Sequence, residues 1–267
     1  MKLLFFGDII GRAGRRAIAQ VLPDFLKIHQ PDFIIGNTDN LAHGKGVTKK
    51  VLEEMMSIGF NGFTAGDHAF DNAVASEVFA DDKYPIARPA NFENTAMGRG
   101  FVRLPGGSRG DLLIINLMGQ VFLKEPYTSP FTAIDEILSV EKAKGNLIGV
   151  LVDLHAEATS EKIAFGWHVA GKVTAVIGTH THVPTADEWI MPGGTAYLTD
   201  AGMIGVRESV IGVKKEQSLQ RFLTGEQVRL EPVEEGEVIV SSVLVEFDPA
   251  TMKAQKIERL TQAVTIL

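Results

Sequence analysis

No cysteine occurs among the 267 residues, which excludes disulfides, thiolate metal sites and cysteine nucleophiles. The same absence fits a cytoplasmic protein. Long apolar runs are missing too. None approaches the ~18–20 residues that span a bilayer, so no membrane partner is expected. The N-terminal stretch MKLLFFGDIIGRAGRR is interrupted by Asp8 and shows no small-residue cleavage site. It reads as a first β-strand rather than a signal peptide. There is no dense Lys/Arg block, and the formal net charge is −7, so an extended nucleic-acid partner is not expected. A small anionic ligand stays open, because a metal centre creates local positive charge at any net charge. Internal repeats, low-complexity tracts and linkers are absent, and one domain over residues 1–267 is expected. The oligomeric state, a homo-oligomer included, is left open.

What the chain does have is a 45% hydrophobic composition with strand-like and helix-like segments in alternation. KLLFFGD, DFIIGN and GFTAGD read as short buried strands. Helices are expected over about Arg15 to His29, where Pro23 should kink or split the helix, over Val47 to Ile58 with Thr48 as a candidate N-cap, and over Asp71 to Ala80. FVRLP and DLLIINLMG flank the turn-rich PGGSRG and predict a hairpin. Pro130 to Lys144 and Ser160 to Gly171 predict two more helices around the strand NLIGVLVDLH, and VTAVIGTH repeats the pattern of strand and polar tip. AYLTD, VRLEPV, EVIVSSVLVEFD and KIERLTQ read as antiparallel strands. The expectation is an α/β fold with a parallel core sheet, a second mixed sheet built from the C-terminal strands, and helices outside.

Five apolar runs end in polar clusters: at Asp8, at Asp39 and Asn40, at Asp67 and His68, at His155, and at His180 and His182. Ligands of open α/β sheets gather at the carboxyl ends of strands. If the five strands are parallel neighbours, carboxylates and imidazoles meet in one crevice, a donor set suited to Mn, Fe, Zn or a similar divalent ion. Each piece alone has a plainer reading. Gly-Asp after a strand is often a turn, a lone buried His is often a satisfied core residue, and THTH can be a loop tip. Residues two apart in a strand share a side, which would let His180 and His182 reach one metal pair.

The order GD, carboxylate–Asn, GDH, His and His-x-His resembles the calcineurin-like metallophosphoesterases. GDIIGRAGR, NTDNLAHGKG, GDHAFD, ARPANF, DLHAEATSEK, IGTHTHVPTAD and TDAGMIGV narrow this to a likeness to the YmdB-like bacterial cyclic-nucleotide phosphodiesterases. The resemblance implies an α/β/β/α sandwich of two mixed sheets flanked by helices. It also implies a hydrolase for a small phosphoester, 2′,3′-cyclic nucleotides in particular, with two divalent transition metal ions, Fe or Mn first and Zn as the alternative. By similarity Asp8 and His182 hold the first metal, Asp39 bridges, and Asp67, His155 and His180 hold the second. Asn40 contacts phosphate or a water, and His68 is the general acid. Two metals ~3.5–4 Å apart can share a hydroxide and neutralise a phosphoryl group. Asp71 could orient His68 or start a helix. Glu157, Thr159 and Lys162 could support the ligand histidines, and His43 could line the substrate mouth.

Two positions depart from the family pattern. Asp39 stands where Glu is usual, and Asp67 where a neutral Asn is usual. Two divalent ions and one hydroxide bring about +3, and three carboxylates at Asp8, Asp39 and Asp67 cancel it. That favours metal binding over anion binding, so a weakly active or non-catalytic metal- or nucleotide-binding regulator is the second reading. An amidohydrolase also uses His-x-His, but on its first strand, whereas here the pair comes late.

Overall fold

The computed structural model describes residues 1–92, 97–125 and 127–267. The chain opens with β1 (Lys2–Ile9), α1 (Gly11–His29), β2 (Phe33–Asn37), α2 (Lys49–Ser57), β3 (Gly62–Thr64), α3 (Ala75–Ala80) and β4 (Ile86–Ala87). These strands are parallel neighbours in the order β1-β2-β3-β4. The hairpin β5 (Phe101–Pro105) and β6 (Asp111–Met118) starts a second sheet. It continues through α4 (Pro130–Ala143), β7 (Leu147–His155), α5 (Thr159–Val169), β8 (Ala175–Thr179), β9 (Trp189–Met191) and β10 (Thr195–Leu198), in the strand order β5-β6-β7-β8-β10-β9. The chain then returns to the first sheet with β11 (Met203–Val206). After α6 (Lys215–Thr224) come the long antiparallel strands β12 (Gly236–Asp248) and β13 (Lys253–Ile266).

Both sheets are therefore mixed. The expected second sheet of C-terminal strands is not what forms: β11, β12 and β13 extend the first sheet, and β10 joins the second by pairing parallel to β8. VRLEPV is not a strand. Pro232 sits inside it without an N–H to donate, and only an isolated bridge joins it to Val213.

Side-chain alternation explains the layers. Leu3 and Phe5 of β1 and Ile35 of β2 face the second sheet, where they pack with Ile114, Leu151 and Ile177. Leu4 and Phe6 face outward, against the apolar stripe of α1 (Ala17, Val21, Phe25) and Leu52 of α2. On the far side, Val150 and Val152 of β7 pack under Ile134 of α4 and Phe165 of α5. Strands buried on both faces read as unbroken apolar runs, which is why periodicity alone left their pairing open.

Helix α1 starts earlier than expected and runs unbroken past Pro23, which lies on its exposed face. Thr48 caps α2 by accepting from the Val51 N–H. α3 begins only at Ala75. The residues before it form a chain of tight turns, with Ala69 N–H donating to Gly66 O at 3.2 Å, Asp71 to His68 O at 3.1 Å and Ala75 to Asn72 O at 2.9 Å.

Candidate metal centre

The two sheets end side by side, and the polar tips of both converge. Asp8 lies on β1, and Asp39 and Asp67 follow β2 and β3; His155 ends β7, and His180 and His182 follow β8. The five strand tips are thus not neighbours in one sheet, as expected, but come three and two from opposing sheets. Gly66 is one reason they can approach so closely. A Cβ there would lie 2.5 Å from His155 Nε2 and 2.6 Å from Asp39 Oδ1.

Hydrogen bonds behind each imidazole decide which nitrogen faces inward. The Thr179 hydroxyl donates to Asp153 Oδ1 at 2.6 Å, so it accepts from His155 Nδ1–H at 2.9 Å and leaves His155 Nε2 a bare lone pair. His180 Nε2–H meets Glu157 Oε2 at 3.2 Å, which bares Nδ1. His182 Nδ1–H donates to Ile211 O at 2.8 Å, which bares Nε2.

These lone pairs point at one another. His155 Nε2 lies 3.0 Å from Asp67 Oδ1 and 3.0 Å from His180 Nδ1, and His180 Nδ1 lies 3.2 Å from Asp67 Oδ1. Asp39 Oδ2 stands 3.6 Å from His155 Nε2. On the other side His182 Nε2 faces Asn40 Oδ1 at 3.1 Å and Asp8 Oδ1 at 3.9 Å. Asn40 spends its amide N–H on Gly44 O, so its carbonyl is the inward atom. Asp8 Oδ1 is buried with no hydrogen-bond partner, although Asp8 Oδ2 accepts the His180 N–H at 3.1 Å. Acceptor atoms packed this way repel unless a cation or protons lie among them. Donors about 2.1 Å from one ion stand roughly 3 Å apart, which the observed spacings match. The residues present therefore fit divalent metal.

The charges tell the same story. Burial, then Asp67, then Asp8 push the Asp39 carboxyl well above its ordinary range. Burial holds His155 below the usual imidazole range, against the pull of Asp67. His180, although burial opposes it, is raised by its hydrogen bond to Asp67. Asp67 resists its burial and is held below the carboxylate range by His155 and His180.

His180 and His182 converge for a reason other than the expected one. β8 stops at Thr179, and both histidines lie beyond it in left-handed backbone, with φ of 101° and 66°. Such backbone is costly for residues with a side chain and persists only where the surroundings hold it. Here Lys162 of α5 and Asp200 hold it. They form a fully buried ion pair at 2.7 Å. Lys162 Nζ also donates to Thr179 O at 2.8 Å, while Asp200 Oδ2 accepts from the Thr181 N–H and hydroxyl at 3.2 and 2.8 Å.

His68 stands at the edge of the cluster. Its Nδ1 meets Asp71 Oδ2 at 2.9 Å, its Nε2 lies 4.0 Å from Asp67 Oδ2, and its backbone N–H donates to Asp39 Oδ1 at 2.8 Å. Asp71 thus orients His68 and does not start a helix. Asp39, Asn40, Asp67, His68 and His180 all line one hollow of about 290 Å³. Asp153 was not singled out from the sequence. It is buried between the sheets, where Asn37, Thr64 and Thr179 donate to it. Its signal was available, since Asp153 lies two residues before His155 on the same face of β7.

With this geometry in place, the comparison with known proteins is direct. The sequence profile of the YmdB-like protein family matches residues 4–260. The chain belongs to the YmdB-like family. Among YmdB-like relatives, the Bacillus subtilis protein named 2′,3′-cyclic-nucleotide 2′-phosphodiesterase is 41% identical over 260 residues, covering 97% of this chain and 96% of that one. A Mycoplasma pneumoniae protein named putative phosphatase/phosphodiesterase is 36% identical, over 97% and 92%. Two crystal structures share the YmdB-like sandwich, each with a TM-score of 0.90. One is described as a novel phosphatase from Mycoplasma pneumoniae, at 35% identity over 98% of this chain and 93% of that one. The other is a hypothetical protein from Thermus thermophilus, at 34% identity over 98% and 99%.

Proposed function

We propose that residues 1–267 form one metallophosphoesterase domain that hydrolyses 2′,3′-cyclic nucleotides with two divalent metal ions, Fe or Mn first and Zn as the alternative. The observation that carries this is the convergence of bare lone pairs from Asp67, His155 and His180 at 3.0–3.2 Å, beside a second group at Asp8, Asn40 and His182. Asp8 and His182 would hold one ion and Asp67, His155 and His180 the other, with Asp39 available to both. The inward carbonyl of Asn40, 3.1 Å from His182 Nε2, supports grouping it with the first set of ligands. When bound, such a pair supplies Lewis-acid charge to a phosphoryl group and lowers the pKa of water.

The protein's own groups do the rest. Glu157, Thr179 and the Ile211 carbonyl fix the three imidazole tautomers. His68, turned by Asp71, delivers a proton from Nε2 to the departing ribose oxygen. Support also comes from the relative named as a 2′,3′-cyclic-nucleotide 2′-phosphodiesterase. No helix of the described residues is long and apolar enough to cross a membrane. A cytoplasmic site of action is part of the proposal and rests on the cysteine-free composition. The test is incubation with adenosine 2′,3′-cyclic phosphate and added Mn²⁺. Conversion to adenosine 3′-phosphate is expected, and tight nucleotide binding without conversion would favour the regulator instead.

The regulator reading has its own observation, the carboxylate at Asp67. A unit charge about 4 Å away is worth up to about 4 kcal/mol at an effective dielectric of about 20. Water at this partly exposed side chain, 28% accessible, reduces that. Asp67→Asn is expected to tighten inhibition by inorganic phosphate roughly tenfold. It should keep or raise phosphodiesterase activity and weaken retention of the second metal. Phosphate inhibition and metal content, measured together in both proteins, check it. Weaker phosphate binding at full metal occupancy would give Asp67 a different role.

A further inference from the structure

A second cleft, of about 900 Å³, opens beside the metal centre and shares Asn40, His68, His182 and Ile211 with it. Its charge is unlike that of the rest of the molecule. In a chain of net charge −7, Lys45, Lys124, Arg221 and Arg229 line this cleft, and Asp71 is the one carboxylate among its described lining residues. Asp71 is already engaged by His68 at 2.9 Å, with Lys45 at 3.5 Å. Lys124, Arg221 and Arg229 have no ion-pair partner among the described residues. Glu231, which feels Arg229, is itself taken by Lys214 at 2.7 Å. Elsewhere cations commonly sit beside carboxylates, as in Lys49–Glu77 at 3.0 Å and Arg207–Glu237 at 2.9 Å. Val213, Leu230 and Pro232 give the cleft an apolar part to its lining.

Folding brings these four cations to one cleft from separate segments of the chain, and three of them, Lys124, Arg221 and Arg229, meet no carboxylate partner among the described residues. Guanidinium groups suit phosphate oxygens because their N–H donors form a planar fork. The cleft has the size of a small-ligand site, ~300–1,000 Å³, and the apolar part of its lining suits a ribose and base lying between two anionic ends. We infer that this cleft binds a second phosphate of the substrate. The substrate class is then a nucleotide carrying another phosphate besides the one hydrolysed, either a 5′-phosphate on the same nucleoside or the next phosphodiester of a short oligonucleotide. This rests on the reading of the neighbouring centre as the phosphodiesterase site.

The test is binding, which needs no turnover. Protein supplied with Mn²⁺ is titrated calorimetrically with adenosine 3′-phosphate, with adenosine 3′,5′-bisphosphate and with the 3′-phosphorylated dinucleotide of adenosine. At least one doubly phosphorylated ligand is expected to bind about tenfold tighter than the monophosphate, with the advantage shrinking as salt rises. Whichever ligand gains identifies the source of the second phosphate. The double variant Arg221→Ala/Arg229→Ala, and separately Lys124→Glu, should cut the tenfold ratio to about twofold or less. Equal affinity for all three ligands, or a ratio that survives both variants, overturns the inference. Absence of cyclic-phosphate hydrolysis, assayed separately, would count against the phosphodiesterase reading without deciding this ratio.

Discussion

His68→Ala is expected to lower the turnover of a 2′,3′-cyclic nucleotide by roughly 10²–10⁴, the usual loss for a missing general acid. That is about 2.7–5.5 kcal/mol of barrier. Metal content should barely change, for a structural reason. The contact of His68 to the metal cluster is its backbone N–H on Asp39 Oδ1 at 2.8 Å, and alanine keeps that N–H. What alanine removes is the imidazole, held by Asp71 with Nε2 4.0 Å from Asp67 Oδ2. An alkoxide leaving group needs that proton, whereas a nitrophenolate leaves without it. The loss should therefore be much smaller with bis(p-nitrophenyl) phosphate. Equal losses on both substrates, read from kcat under matched metal, would remove His68 from the acid role. A loss explained by missing metal would make it structural instead.

The strand tips were legible in the sequence because a buried parallel strand reads as an apolar run, and Asp8, Asp39, Asp67 and His155 each break such a run. Pairing was not legible. LLFF, FIIG and LVDL carry the same apolar signature whichever sheet they join, so nothing local separated β1, β2 and β3 from β7 and β8. The clusters nevertheless meet, because both sheets present their carboxyl ends at one edge of the sandwich. His180 and His182 converge on the cluster through a geometry other than the expected one. Strand alternation does not place them; left-handed backbone does, and the Lys162–Asp200 pair that holds it joins residues far apart in sequence.

VRLEPV and the start of α3 failed on local chemistry. Pro232 withholds a donor from a would-be strand, and the turns between Gly66 and Ala75 consume the bonds of a would-be first helical turn. For Asn40 the resemblance implies contact with phosphate or a water. Its orientation depends on the Gly44 carbonyl, a contact no sequence spacing reveals. Asp153 lies below the site and reaches it through Thr179 and through Asn37, which also accepts the Asp39 N–H; its place two residues before His155 on one face of β7 is the sequence signal for it.

Removal of metal should have the largest effect of all. Three carboxylates and three imidazoles face inward with bare acceptor atoms, and without cations only protons relieve them. The chelated protein is expected to have no measurable phosphodiesterase activity and a lower melting temperature. An ion present at about 100 times its Kd contributes about 2.7 kcal/mol to stability. Low pH should mimic chelation in part, because the raised Asp39 and His180 take up protons that compete with metal. The decisive measurement is a titration of the chelated protein with Mn²⁺ and with Fe²⁺, following adenosine 2′,3′-cyclic phosphate hydrolysis and bound metal per chain together. Two ions per chain are predicted, with activity rising only as the second site fills. Full activity at one ion per chain, or any activity retained after complete metal removal, would contradict the two-metal account.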